Sequence, residues 1–287
     1  MMPPNNNTGG GIMSRASWAQ WLGNTETREE LISVGASARI AAAFDKQSPA
    51  HGDDLPWLWH WCFFQDAAPT QLLAKDGHPL PGSFLPPVHD RPRMWAGGRV
   101  RFLSALRVGE PAQRHSEVVR CEEKTGKSGS LVFVTVAHEY HQAGQVCIRE
   151  EQDIVYKTPA PWVPQEGERP PRGDWDVSVL PSNALLFRYS AVTFNTHRIH
   201  YDLNYATETE GYPGLVVHGP LVATLNLTAF VEANPLAIPK AFSFRNIRAL
   251  IAPERFQTAG RHTETGVARL WAANGTGICQ QAEVLFE

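Results

Sequence analysis

Along the chain the spacing of hydrophobic positions changes period several times. In the first half, SEVVRCEEKTG (116–126), LVFVTVAHEYHQ (131–142) and QVCIREEQDIVYK (145–157) are rich in β-branched residues and alternate in part between apolar and polar. Alternation sends successive side chains to opposite faces, so the spacing predicts strands. TGKSG and QAGQ between them predict hairpin turns. The second half repeats the plan with AFSFRNIRALIAP (241–253), HTETGVARLWAANG (262–275) and GICQQAEVLFE (277–287), where Asn274-Gly275 is a strong turn signal. Each half is expected to close in an antiparallel meander. No residue-level repeat relates them.

Helical signals lie upstream of each meander. GPLVATLNLTAFVEAN (219–234) is apolar almost all round, with Pro220 where a first helical turn tolerates it, so the pattern predicts a buried helix. A buried helix followed by a meander predicts an α+β layer, a sheet wrapped around the helix. SWAQWLG (17–23) and ISVGASARIAAAFDK (32–46) are helix candidates of the first half, before the apolar LPWLWHWCFF (55–64). Residues 158–174, TPAPWVPQEGERPPRGD, hold five of the 22 prolines and no apolar period. Proline removes backbone donors and restricts its predecessor, so this stretch predicts a linker between 14–157 and 175–287.

Composition narrows the classes. With 43% hydrophobic and 19% charged residues in 287, a substantial core is available and global disorder is excluded. A net charge of −3 without a basic run gives no electrostatic case for nucleic acid. The four cysteines are scattered with no CxxC, which suits reduced thiols in a cytoplasmic protein better than a disulfide framework or zinc knuckle. No apolar run reaches the roughly 18 to 20 residues that span a bilayer, so no membrane role is expected. The polar start, residues 1–13, has neither a charged n-region nor an apolar h-region and is expected to be a disordered lead rather than a signal peptide.

The densest polar cluster is FNTHRIHYDLNYA, 194–206. His197, His200 and Asp202 are suitable metal donors, but their spacing fits neither HExxH nor any closed zinc pattern, and no metal is expected. Gly126-Lys127-Ser128 resembles the end of a phosphate-binding loop. The glycine required five residues earlier is Cys121, and no helix follows, so a hairpin turn is the better reading.

A second feature gives the polar cluster a chemical context. VVHGP, 216–220, places backbone N–H groups at a helix N-terminus, where negative charge is stabilised and a glycine permits close approach. His200 as proton carrier and a helix start as oxyanion site together form a kit for adding water to, or removing it from, a carbon–carbon bond beside a thioester. The competing reading is a polar loop that merely caps the helix. Spacing alone does not bring His200 and Gly219 together.

The segment from Asn195 to Gly219 resembles the signature of the R-specific enoyl-CoA hydratases (hydratase 2, MaoC-like), which have the hot-dog fold. His200 matches the motif histidine; Asp202, Tyr205 and Ala206 match its tail; Val217-His218-Gly219 matches the approach to the central helix. The resemblance implies His200 as acid/base and Gly219 N–H as donor to the thioester oxygen. The motif aspartate, however, is Asn195 here, and the motif asparagine is His197. Asn195 can orient water or hold His200, but it cannot accept a proton as a carboxylate does. Asp202 is the nearest carboxylate in sequence.

FNTHRIHYD with YPGLVVHGPL (212–221) is more similar still to the branch of 3-methylfumaryl-CoA (mesaconyl-C4-CoA) hydratases, itaconyl-CoA hydratases and hydroxyacyl-thioester dehydratases type 2. PRMWAGG (92–98), KSGSLVFVTV (127–136) and EQDIVY (151–156) extend the similarity over most of the chain from about Trp18 onward. It implies a double hot-dog fold, each unit an antiparallel sheet around a central helix. The second unit carries the signature; the first completes the sheet and shapes the acyl pocket. It also implies a hydro-lyase acting on a short enoyl-CoA, foremost a C5 dicarboxylyl-CoA, with no cofactor beyond the CoA of the substrate. Arg198 or Arg93 would then hold the free carboxylate, Arg198 having a structural ion pair or a CoA phosphate as alternatives. His197, Tyr201 and His218 complete the expected substrate contacts. The alternatives are a 3-hydroxyacyl-thioester dehydratase of fatty-acid synthesis and a non-catalytic thioester-binding protein. A monomer and a homodimer both fit.

Overall fold

The computed structural model describes residues 18–80, 82, 84–88, 91–126, 129–158 and 162–287. The expected lead at 1–13, the turn residues Lys127 and Ser128, and residues 159–161 of the Pro-rich stretch lie outside these. The first half contributes β1 (Thr25–Leu31), α1 (Val34–Ala43), β2 (Arg93–Phe102), β3 (Pro111–Gly126), β4 (Gly129–Gln142) and β5 (Gln145–Lys157). The second contributes β6 (Trp175–Val179), α2 (Asn183–Val192), α3 (Gly219–Ala233), β7 (Pro239–Asn246), β8 (Phe256–Glu264), β9 (Val267–Asn274) and β10 (Gly277–Phe286). Of the described residues between 157 and 175, none is in a helix or strand.

All ten strands form one sheet in the order β1-β3-β4-β5-β2-β7-β10-β9-β8-β6. Taken from its outer edge, each half runs first, third, fourth, fifth, second strand, so the two halves share one topology and meet at β2 and β7. That seam is antiparallel, from Gly97 opposite Arg245 to Arg101 opposite Ala241. A Cβ on Gly97 would collide with the Phe244 carbonyl, which explains the paired glycines of PRMWAGG as a close approach of two backbones.

The second unit is a sheet wrapped around α3. Leu221, Ala223, Leu227 and Phe230 of α3 are wholly buried against β6–β10, in keeping with the apolar pattern all around that helix. Each such buried Leu or Phe contributes about 1.5–3 kcal/mol. The first unit is filled differently. Its short α1 packs on α2 of the second half, while the Trp57–Phe64 segment, with a 3₁₀ turn at Trp59–Cys62, occupies the core. Buried Glu150 on β5 organises that filling, accepting hydrogen bonds from His60 Nε2 (3.1 Å), Trp61 Nε1 (2.8 Å), Tyr140 OH (3.0 Å) and Gln152 Nε2 (2.8 Å). One hydrophobic core runs through both units.

Local departures from the sequence reading have simple causes. The 17–23 helix is reduced to a 3₁₀ turn at Ala19–Trp21, since Gly23 at φ +78° ends it and β1 follows. The expected strand at 262–275 divides into β8 and β9 at a turn with Gly266 at φ +75°. No helix among the described residues is long and apolar enough to cross a membrane.

Candidate active site

The FNTHRIHYD stretch connects α2 to α3 and turns back on itself at once. Phe194 takes a left-handed φ of +48°, and Asn195 N–H donates to Ser190 O at 2.8 Å. The Asn195 side-chain oxygen accepts from His197 N–H at 2.9 Å, closing an Asx turn. The residue at the motif-aspartate position thus shapes the loop that presents the histidines.

A 3₁₀ turn over Arg198–His200 follows, and Val216 clamps it from the approach to α3. Val216 N–H donates to Ile199 O at 2.9 Å, and His200 Nδ1–H donates to Val216 O at 2.7 Å. That second bond places the proton on Nδ1 and leaves the Nε2 lone pair as the basic site. Burial pushes the His200 imidazole down to about 4, so the neutral, proton-accepting form prevails near neutrality.

Three further histidines continue from His200. His218 stacks on it with ring centroids 3.7 Å apart; His197 meets it edge to face at 5.3 Å; His78 of the first half lies 4.1 Å from His197. His218 Nε2 shares a 2.9 Å hydrogen bond with Ser190 Oγ on α2, while its buried Nδ1 has no partner among the described residues. Burial, and then the neighbouring imidazoles, hold His218 and His197 well below the usual histidine range.

His218 is also the N-cap of α3, and Gly219 is its first residue. The first N–H groups of a helix lack partners within it, and Pro220 has none to offer, so Gly219 N–H is the leading free donor. A Cβ on Gly219 would run into the Asn246 side chain. A buried amide relay holds Asn246 in place. Its Nδ2 donates to Trp95 O at 2.7 Å, and Gln280 Nε2 donates both to Asn246 Oδ1 (2.7 Å) and to Gly219 O (3.0 Å). Asn226 on α3 donates to Gln280 Oε1 at 3.0 Å.

The other expected residues divide between this centre and its rim. Asp202 is turned to its own loop: Oδ2 accepts from Arg198 Nε and Nη2 at 3.0 and 2.7 Å, and Oδ1 from Tyr205 N–H at 3.0 Å. The Tyr205 backbone bond and then Arg198 draw its carboxyl below the usual range. Arg198 also donates to Lys75 O at 3.1 Å and covers the Tyr205 ring at 4.1 Å. Tyr201 is 43% exposed and its hydroxyl donates to Thr196 O at 3.0 Å, which puts it on the rim. Arg93, at the start of β2, acts electrostatically on both His78 and His197 and faces the Tyr156 hydroxyl.

Asp76 and His78 went unnoticed in the sequence, as did Ser190, Asn246 and Gln280. The only local signal for the first pair was the Asp-Gly turn in LAKDGHPL. Asp76, His78 and His197 are also the one group of three metal-ligand-type residues that converges among the described residues, with ligand atoms within 4.8 Å of one another. His78 Nδ1 donates to Asp76 Oδ2 at 2.8 Å, so two members of the set are bonded to each other rather than turned to a shared centre.

Comparison with known proteins agrees with this architecture. Residues 58–252 match the profile of the family described as hydroxyacyl-thioester dehydratase type 2. The mesaconyl-C(4)-CoA hydratase of Chloroflexus aurantiacus is 46% identical over 252 residues, 85% of this chain and 89% of that protein. The mitochondrial hydroxyacyl-thioester dehydratase type 2 of Schizosaccharomyces pombe is 28% identical over 221 residues, covering 65% and 71%. A crystal structure of a MaoC-like dehydratase from Phytophthora capsici superposes with a TM-score of 0.69 at 12% identity, covering 96% of this chain and 99% of that one, which shows the shared double hot-dog fold. With the profile running from the Trp57–Phe64 segment through β2–β7 and the loop between α2 and α3, the chain belongs to the hydroxyacyl-thioester dehydratase type 2 family.

Proposed function

We propose that this protein is a hydro-lyase that adds water reversibly across the double bond of a short enoyl-CoA, foremost a C5 dicarboxylyl-CoA such as mesaconyl-C4-CoA. The observation that carries this reading is the pairing of His200, its Nε2 left basic by the Nδ1–Val216 bond, with the start of α3 three residues beyond that same Val216 O. The 46% identity to a mesaconyl-C(4)-CoA hydratase supports the substrate class. Itaconyl-CoA is the related alternative.

In the forward direction His200 Nε2 takes a proton from water as its oxygen bonds to the β-carbon. The double-bond electrons move onto the thioester oxygen, where Gly219 N–H and the positive end of α3 stabilise the enolate. A proton delivered to the α-carbon restores the thioester carbonyl. Asn195 positions the loop, and His218 supports the His200 ring from its stacked face. Arg198 is engaged with Asp202, so Arg93, with His197 beside it, is the residue we assign to the free carboxylate. We assign the exposed Tyr201 to contact with the CoA chain. No cofactor takes part beyond the CoA of the substrate.

Residues 14–157 and 175–287 act as the two units of this enzyme, joined by the Pro-rich linker. One chain already pairs two units through β2 and β7, so a monomer suffices and a homodimer is the alternative that light scattering separates. The four cysteines are free and buried, which suits a reducing cytoplasm.

A panel of mesaconyl-, itaconyl-, crotonyl- and longer enoyl-CoA thioesters tests the assignment, with His200→Ala as control. Highest kcat/KM on a dicarboxylyl-CoA and loss of turnover in the folded control are the expected results. Preference for long 3-hydroxyacyl thioesters would instead make it the fatty-acid dehydratase of its family. Binding without turnover would make it a thioester-binding protein.

A further inference from the structure

The hydration just described needs groups that move protons at two carbons' worth of chemistry, and its signature loop has lost one of them, because Asn195 stands where the related enzymes carry a carboxylate. We infer that the first unit makes good that loss: His78, held by Asp76, is a second proton-carrying residue of the active site. This rests on the hydratase reading and extends it.

The Asp76–His78 turn is built as a preformed pair. His78 N–H donates to Asp76 Oδ1 at 3.0 Å, and His78 Nδ1–H donates to Asp76 Oδ2 at 2.8 Å. A proton on Nδ1 leaves His78 Nε2 basic, and the carboxylate stabilises the imidazolium that forms when Nε2 takes a proton. Asp76 is therefore the positioning residue and His78 the catalytic one.

The turn is fixed to the signature loop across 119 residues of sequence. Arg198 N–H donates to Asp76 O at 2.8 Å, and Arg198 Nη1 donates to Lys75 O at 3.1 Å. Thr196 Oγ1 donates to Gly77 O. Gly77 has φ +92°, and any Cβ there would strike the Thr196 carbonyl, so only glycine lets the two backbones approach this closely. Three hydrogen bonds to three consecutive residues are more than a passing loop requires. They bring the His78 ring within 4.1 Å of His197, which in turn meets His200 edge to face. The buried His197 ring stands between His78 and His200 and makes no side-chain hydrogen bond among the described residues, so it links the two imidazoles by ring contact.

The charged and titratable groups facing His78 are Asp76 in its own turn, Arg93 on β2, and His197 and His200 on the signature loop. Burial, and then Arg93, hold His78 below the usual histidine range, while Asp76 partly offsets them. In the addition, His78 Nε2 receives the proton that His200 took from water and delivers it to the α-carbon, so both imidazoles end in the neutral form in which they began.

The test uses the full chain and the enoyl-CoA on which the wild type is most active. His78→Gln and Asp76→Asn are compared with wild type and with His200→Ala, and thermal unfolding establishes that each is folded. The expected result for H78Q is a fall in kcat of about 100-fold or more with KM within about 3-fold, equal for dicarboxylyl and monocarboxylyl thioesters. D76N should lower kcat less and move the ascending limb of the kcat/KM profile to lower pH, because His78 loses the carboxylate that favours its protonation. Asp76→Glu should restore part of the rate, which covers the case of a poorly folding H78Q. Folded H78Q and D76N with near-wild-type kcat would overturn the inference, as would a loss confined to KM for the dicarboxylyl substrate. Abolition of wild-type activity by EDTA would also overturn it in favour of a metal. If the wild type itself turned over no thioester, the hydratase reading would fail first, and H200A reports on that separately.

Discussion

The imidazoles of His200 and His218 lie face to face, with centroids 3.7 Å apart and an interplanar angle of 19°. Two rings in such a stack cannot both be cations at acceptable cost when both are buried. Each is held below the ordinary histidine range by burial, and His218 also by the charge His200 would carry. The stack therefore keeps a neutral base at the helix start, which is the protonation state the proposed chemistry needs.

This arrangement predicts acid sensitivity in a defined window. An unfolded histidine titrates near 6.5, whereas His200 in the fold titrates at about 4, so between these values the unfolded state binds more protons. Stability should fall as pH drops from about 6.5 towards 4, by up to a few kcal/mol from His200 alone. Urea midpoints measured from pH 7 to 4 check this, and the slope should flatten in His218→Asn. A midpoint independent of pH across that window would contradict the burial argument.

Glu150 should act in a different window. Burial raises its carboxyl, but bonds from His60 and Gln152 and the nearby histidine charges outweigh this and hold it at about 2. Its contribution is present above about 4.5 and is lost only as pH falls towards 2. Glu150→Gln keeps the shape but removes the charge that collects donors from Trp61, Tyr140 and His60. A loss of about 2–4 kcal/mol at pH 7, read from urea denaturation, is expected.

Gly219 should tolerate no side chain. In Gly219→Ala the new Cβ meets Asn246, so either the start of α3 or the amide relay must shift. Displacing an oxyanion donor costs about 100- to 1,000-fold in kcat. Enoyl-CoA turnover measures this. Adding Asn246→Ala should recover stability but not rate, since the relay from Trp95 O to Gly219 O is then cut.

The two arginines should separate by substrate. Arg198 is tied to Asp202, Lys75 O and the Tyr205 ring, whereas Arg93 faces the histidines. Arg93→Met should raise KM selectively for dicarboxylyl thioesters. Arg198→Met should change dicarboxylyl and monocarboxylyl substrates alike, and the loss of its ion pair with Asp202 should matter little for stability. Steady-state kinetics on mesaconyl- and crotonyl-CoA distinguish these outcomes.

The local order of this protein is written in periods along its chain. Alternation predicted β4, β5 and β10 nearly residue for residue and β3 from residue 116 onward, and the unbroken apolarity of 219–233 predicted a buried helix, because side-chain direction repeats every two or 3.6 residues whatever the rest of the chain does. The pairing of His200 with Gly219 was expected from a recognisable pattern, and the fold sets the His200 ring against His218 at the start of α3. What spacing does not encode is convergence across distance. Nothing near Gly97 announces that Arg245 will pair with it, and nothing near Asp76 announces that Thr196 and Arg198 will grip its turn. Asp202, adjacent in sequence to the proposed base, is instead bound to Arg198 and the Tyr205 N–H. The carboxylate next to the histidines comes from the other unit, because joining β2 to β7 and closing one core over both halves is what sets the Asp76 turn against the signature loop.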